Sequence, residues 1–229
     1  MSDLVNHRAI REKARDAYLT FRAALREDVA ASIAADGTPP DYLMGHSGTR
    51  VTIPQEKLDG CKVLSNRKDI IRQMPSAGEV IEVGTQAGLF AEFILNLLPS
   101  ISLRTIDVDY GPFRFDLLQP FINEGRLTTI TGYSWEELSK FPDQHFEWIY
   151  IDASHIYEHV RKDLEVAKQK VKVGGYIVCN DYAVWSPLEG DPYGVMQAVN
   201  EFVFAENFKV SHLALDGWGY HDIALRRLS

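Results

Sequence analysis

The chain has 229 residues, of which 45% are hydrophobic and 11% aromatic, enough for one sizeable core and short for two. Its formal net charge is -8, with Lys and Arg scattered rather than clustered; that argues against a long polyanion, because phosphate contacts supply most of such affinity, so a small-molecule partner and no nucleic acid are expected. With only Cys61 and Cys179, no apolar run near membrane-spanning length and a charged N-terminus, the composition argues against a disulfide framework, a membrane span or a signal peptide, and a cytoplasmic protein is expected.

In chain order, residues 4–35 set Val5, Ile10, Ala14, Tyr18, Phe21, Leu25, Val29 and Ile33 at helical spacing, predicting one or two amphipathic helices that offer a face for a homo-oligomer. The tract DGTPPDYLMGHSGTRVTIP follows, broken by Gly37, Pro39 and Pro40, and reads as a loop or lid carrying His46 and Arg50. NRKDIIRQMP reads as a short helix opened by Asn66 and closed before Pro75.

From Glu79 onward, apolar runs alternate with amphipathic helices. EVIEVG, LRTIDVD, LTTITG, FEWIYID and GYIVCND read as strands, separated by helices such as LFAEFILNLLP and EHVRKDLEVAKQKV. Strands joined through helices lie parallel, with helices on both faces. After the helix GVMQAVNEFVFAEN, the runs FKVSHLALD and HDIALRRL are joined by GWGY, a link suited to a hairpin rather than a crossover. The predicted class is therefore α/β, Rossmann-like and doubly wound, with a mainly parallel seven-stranded sheet, an antiparallel last strand and N-terminal helices. Residues 1–78 are expected to supply those helices and a substrate loop, and residues 79–229 the ligand-binding domain.

In such sheets the ligand lies beyond the carboxyl ends of the strands, near the switch point. The first turn there is E-V-G-T-Q-A-G, residues 82–88. Gly84 and Gly88 allow a tight turn with close backbone approach, or merely close packing. The spacing is G-x-x-x-G, and Gln86 stands where a pyrophosphate cradle has its middle glycine, which disfavours a nicotinamide dinucleotide. Glu82 would repel a phosphate but attract an amino group or a sulfonium. About 25 residues later, TIDVD presents Asp107 in the spacing of a ribose-binding acid.

These features, together with TGYS, FEWIYIDASHIYEHVRKDLEVA, VGGYIVCNDY and the closing hairpin, resemble the class I S-adenosylmethionine-dependent methyltransferases over residues 79–229. The run I-D-x-x-H-x-Y-E-x-V-x-x-D-L with the later G-G-x-I-x-x-x-D-Y is similar to the macrocin-type sugar O-methyltransferases, with catechol O-methyltransferase a more distant likeness. The resemblance implies that Glu82, Gly84, Thr85 and Gly88 serve the methionine end of S-adenosylmethionine, Asp107 and Val108 the ribose, and Gly132, Tyr133 and Ser134 the adenine, with Asp152 a further contact. It also implies that Asp152, Asn180 and Asp181 end neighbouring strands, where three oxygen ligands suit Mg2+. Such an ion would hold a substrate hydroxyl in line with the methyl group, and His155 would take its proton, so His155 and Asp152 are the catalytic candidates.

Plainer readings stand beside these. Asp152 or Ser154 could cap the helix that starts near His155, His155 could point at water, and Asp181 could pair with an arginine. Tyr157, Glu158 and Asp163 read as packing or solvent-facing residues, and Trp185, Tyr193 and Trp218 as pocket walls or core. The expected function is methyl transfer to a hydroxylated small-molecule acceptor. The rivals are an NAD-dependent oxidoreductase and a non-catalytic cofactor-binding protein.

Overall fold

The computed structural model describes residues 2–37 and 51–229. The chain divides into two compact units, residues 1–43 and 44–229. In the first, Ser2–Asp36 form one continuous helix, α1, where the periodicity allows one or two. Most of the Gly- and Pro-broken tract, His46 and Arg50 included, lies outside the described residues.

The second unit opens with a short helix α2 (Gln55–Leu58), a three-residue strand β1 (Lys62–Leu64) and helix α3 (Arg67–Ile71), which Asn66 precedes as predicted. The alternation then runs β2 (Ala77–Val83), α4 (Leu89–Leu97), β3 (Ser100–Asp107), α5 (Phe115–Asn123), β4 (Leu127–Thr131), α6 (Ser134–Ser139) and β5 (Phe146–Ile151). It continues with α7 (Tyr157–Lys170), β6 (Val171–Cys179), α8 (Val195–Ala205), β7 (Phe208–Ala214) and β8 (Asp222–Arg227).

All eight strands form one sheet in the order β1-β7-β8-β6-β5-β2-β3-β4. The last strand, β8, runs antiparallel between β6 and β7, and the other pairings are parallel. This is the doubly wound, mainly parallel sheet that the alternation predicts, with one strand more than the seven expected. The addition is β1, which pairs Lys62–Leu64 with His212–Ala214 on β7. Three residues are too few to carry a periodic pattern, so only the edge of β7 recruits them into the sheet.

Strands covered on both faces read as continuous apolar runs. Along β5, Phe146, Trp148, Ile149, Tyr150 and Ile151 are all buried. Ile81, Val83, Ile149, Ile151 and Ile177 face one core with Val160 and Leu164 of α7 and Val199 and Phe202 of α8. Val80, Trp148, Tyr150 and Val178 face the other, against Phe90, Ile94 and Leu95 of α4 and Ile70 and Ile71 of α3. The strand order reverses between β2 and β5, so the ends of those two strands flank the crevice where open α/β sheets take their ligands.

Candidate active site

The turn after β2 is shaped by contacts that side chains other than hydrogen cannot meet. Gly84 has φ +80°, and a Cβ there would lie 2.2 Å from the Asp152 carbonyl oxygen and 2.5 Å from Ala153 Cα. The ladder brings the strand ends together, Asp152 N donating to Val83 O at 2.7 Å and Gly84 N to Ile106 O at 2.8 Å. Gly88, at φ +74°, precedes α4 and leaves room for Phe113 and Leu118. Between the glycines, the N–H groups of Thr85 and Gln86 donate to Asp107 Oδ2 at 2.9 and 2.8 Å. Asp109 N donates to Asp107 Oδ1 at 3.1 Å, so the acid at the tip of β3 holds both this turn and the one after β3 and keeps about one acceptor site for another donor. Val108 beside it is exposed.

Glu82 is almost fully buried and accepts a hydrogen bond from the Thr85 hydroxyl at 2.6 Å. Burial pushes its carboxyl up to about 7, opposed by the Thr85 hydrogen bond and the charge of Arg67. It lies beneath the turn, with Thr85 over it, rather than open to solvent. A cradle with no room for a Cβ at Gly84, an acid at Asp107 and a second acid at Glu82 fit an adenosyl ligand with a cationic end.

Beyond β5 and β6 opens a cleft of about 500 Å³ lined by Arg67, Gln86, Asp152, His155, Asn180, Asp181, Glu189, Tyr193, Asp216, Trp218, Tyr220 and Asp222, among others. The predicted residues Asp152, His155, Asn180 and Asp181 therefore meet on one wall. Tyr193 and Trp218 are pocket walls, and the His155 ring stacks on Tyr193 at 4.2 Å between centroids. His155 Nε2 stands 3.4 Å from Asp181 Oδ2. Burial lowers the imidazole pKa, with Asp181 and Glu189 opposing it, whereas burial raises the Asp181 carboxyl, opposed by His155 and Arg67.

The capping alternative for Asp152 does not hold: α7 begins at Tyr157 behind Ile156, one residue before the run EHVRKDLEVAKQKV and beyond the reach of an Asp152 cap, and Ile156 N donates to Ser154 Oγ at 3.3 Å. Asp152 instead faces Arg67, whose Nη1 lies 3.4 Å from Oδ2. Burial raises the Asp152 carboxyl well above its usual range, and Arg67 opposes that. Asn180 Nδ2 donates to Asp222 Oδ1 at 3.1 Å, and Tyr150 Oη to Asp222 Oδ2 at 2.6 Å.

These pairings do not fit the predicted Mg2+ site. A divalent ion needs oxygens converging on a common point free of other cations, yet each candidate faces its own partner, and a guanidinium stands at Asp152. Among the described residues, no group of three or more His, Cys, Asp or Glu side chains is arranged to hold a metal ion.

At the third turn, Gly132 has a backbone only glycine tolerates easily, φ +156°, with Glu137 where a Cβ would be. Tyr133 is exposed and stacks on Trp135, 5.2 Å between ring centroids. Ser134 is buried and its hydroxyl is committed inward, donating to Asp163 Oδ1 at 2.5 Å. Asp163, read from the sequence as a packing or solvent-facing residue, is fully buried on α7, and its Oδ2 has no hydrogen-bond partner among the described residues. Burial pushes its carboxyl up to about 7, with the Ser134 hydrogen bond and Lys162 opposing.

The folded protein thus keeps this proton while the unfolded chain releases it near pH ~4, so stability from Asp163 is full below that value and is lost as pH rises to about 7, at up to about 1.4 kcal/mol per unit. Asp163→Asn keeps an acceptor for Ser134 and cannot ionise. Thermal unfolding at pH 5 and pH 8 is expected to show the variant gaining on the wild type at the higher pH. Parallel shifts in the two proteins would remove Asp163 as a titrating group.

Sequence reasoning missed Arg67, Tyr150, Asp163, Glu189, Tyr220 and Asp222. Arg67 is one of three basic residues in NRKDIIR, and no spacing singles it out. Asp222 did leave a signal, as the acid that opens β8, directly before the apolar run IAL.

Residues 81–182 match a family model described as a methyltransferase domain. That match spans somewhat less than half of the chain. A comparison with curated proteins finds no match. Among solved structures, the chain is similar to the pyocyanin biosynthetic protein PhzM, at 15% identity and TM-score 0.54 over 70% of this chain and 53% of that one. It is also similar to an O-methyltransferase family protein from Burkholderia thailandensis, at 14% identity and TM-score 0.54 over 71% of this chain and 55% of that one. An rRNA methylase from Streptococcus thermophilus aligns at 13% identity and TM-score 0.52, over 71% of this chain and 94% of that one. At these identities the likeness is one of fold. The chain spans about half the length of the first two proteins. No helix among the described residues is long and apolar enough to cross a membrane.

Proposed function

We propose that the chain is an O-methyltransferase of the macrocin-like type that methylates a hydroxyl of a small molecule, with His155 as general base. The observation that carries this reading is the His155–Asp181 pair, which stands in a cleft that Asp152 and, from the turn after β2, Gln86 also line. Glu82, Gly84, Thr85, Gly88, Asp107, Val108, Gly132, Tyr133 and Ser134 would hold S-adenosylmethionine, and residues 79–229 would be its binding domain. When bound, S-adenosylmethionine would supply the methyl group, its sulfur keeping the electron pair of the broken carbon–sulfur bond as the acceptor oxygen bonds the carbon.

His155 takes the hydroxyl proton as that bond forms. An imidazole with lowered pKa is neutral at working pH and ready to accept it. Asp181, 3.4 Å from Nε2, then stabilises the imidazolium. Tyr193 keeps the ring in place by stacking.

A small acceptor is supported by the charge of the walls. Asp152, Asp181, Glu189, Asp216 and Asp222 line the cleft with Arg67 as its one Lys or Arg among the described residues, a lining short of the basic side chains that a phosphate backbone needs.

The test is calorimetric titration of the purified protein with S-adenosylhomocysteine, with Mg2+ and again with a chelator. Micromolar binding, equal in the two buffers, is expected. No binding in either buffer would reject the methyltransferase reading.

A further inference from the structure

The place at Asp152, Asn180 and Asp181, where the sequence predicts a divalent ion, has a cation of its own. Arg67 reaches it from α3, its Nη1 3.4 Å from Asp152 Oδ2. Its guanidinium carbon sits 4.3 Å from the centroid of Phe90, the second residue of α4, a contact that helps hold the planar group. Arg67 is also a charged neighbour common to Glu82, Asp152, Asp181 and Asp222. Asp152 is the acid that the guanidinium contacts, and the guanidinium's charge opposes the upward pKa shifts of the other three.

We propose that Arg67 is the resident cation of this site, the positioning residue that balances these carboxyl groups and orients Asp152, so that the chain works without a divalent metal. A guanidinium stays charged at every working pH and donates in a fixed plane. It therefore directs the Asp152 carboxylate as a metal would, while a divalent ion brought to the same oxygens meets its repulsion. Asn180, turned to Asp222, and Asp181, beside His155, are then parts of the surrounding hydrogen-bond and charge network rather than metal ligands.

The inference rests on the proposed function only for the reaction that Arg67 serves, and its test reads metal uptake rather than turnover. Mn2+ is titrated into the full-length protein and free Mn2+ is followed by electron paramagnetic resonance. Wild type is expected to show no uptake below millimolar Mn2+. Arg67→Met, which removes the charge and keeps the stem over Phe90, is expected to bind Mn2+ at least about 10-fold more tightly. That uptake should vanish when Asp152→Asn is added, and Arg67→Lys should behave as wild type.

Micromolar uptake by wild type that is lost in Asp152→Asn would overturn the proposal, as would Arg67→Met binding no more Mn2+ than wild type. If Arg67→Met does not fold, the wild-type and Arg67→Lys titrations decide by the same criterion. Because binding of S-adenosylhomocysteine is measured separately, loss of the methyltransferase reading and loss of this inference give different results.

Discussion

His155→Ala is expected to lower the rate of methyl transfer by about 10²- to 10⁴-fold, the usual worth of a general base, while leaving the affinity for S-adenosylhomocysteine near that of the wild type. The proton of the acceptor hydroxyl has to leave as the oxygen attacks, and His155 is the imidazole on the cleft wall with a carboxylate 3.4 Å away to receive the charge. The pH profile carries the sign. A base works unprotonated, so the rate rises with pH through the His155 pKa and levels above it. Burial lowers that pKa, so the rise falls below the ordinary imidazole range and the plateau covers neutral pH. Steady-state rates across pH 5–8, with an acceptor that the wild type turns over, check both claims. A variant that keeps the wild-type rate and profile would remove His155 from the chemistry.

Gly84→Ala is expected to be the most damaging single methyl group in the site. At φ +80° an alanine is strained by about 1–2 kcal/mol, and its Cβ would meet Asp152 O at 2.2 Å and Ala153 Cα at 2.5 Å. Those are backbone atoms of the segment following β5, so relief requires the ends of β2 and β5 to part, adding about 1–3 kcal/mol of overpacking. The opening lies at the switch point, so binding of S-adenosylhomocysteine should be lost with the stability. Gly125→Ala is the control, with φ +71° but nothing within 4 Å of the added Cβ. Urea unfolding should show Gly84→Ala losing at least about 1 kcal/mol more than Gly125→Ala. Equal losses would mean that the close approach at Gly84 is not what the glycine is for.

Much of the scaffold was legible from local pattern. The apolar runs from Glu79 onward, the helices between them and the GWGY link specified the alternation and the antiparallel β8, because side-chain periodicity depends on near neighbours. Gly84 and Asp107 could be placed for the same reason: a turn after the first regular strand and an acid at the tip of the next have fixed positions in such a sheet. The strand β1 could not, since three residues take their conformation from the β7 edge they meet. His155 and Asp152 were visible as residues beyond a strand end, although the exact start of α7 was not.

Which charge answers which was decided by the tertiary structure. Arg67 and Asp152 are 85 positions apart, and Asn180 and Asp222 are 42. An acid at a strand end accepts a metal, a guanidinium or a hydroxyl equally well until the fold brings one of them within reach. The same holds for Ser134 and Asp163, 29 positions apart, where burial converts a helix-surface acid into one that titrates at about 7. Backbone pattern and turn chemistry are local and can be read along the chain. The partners of buried polar groups are set by packing, and only the packed sheet and its helices determine them.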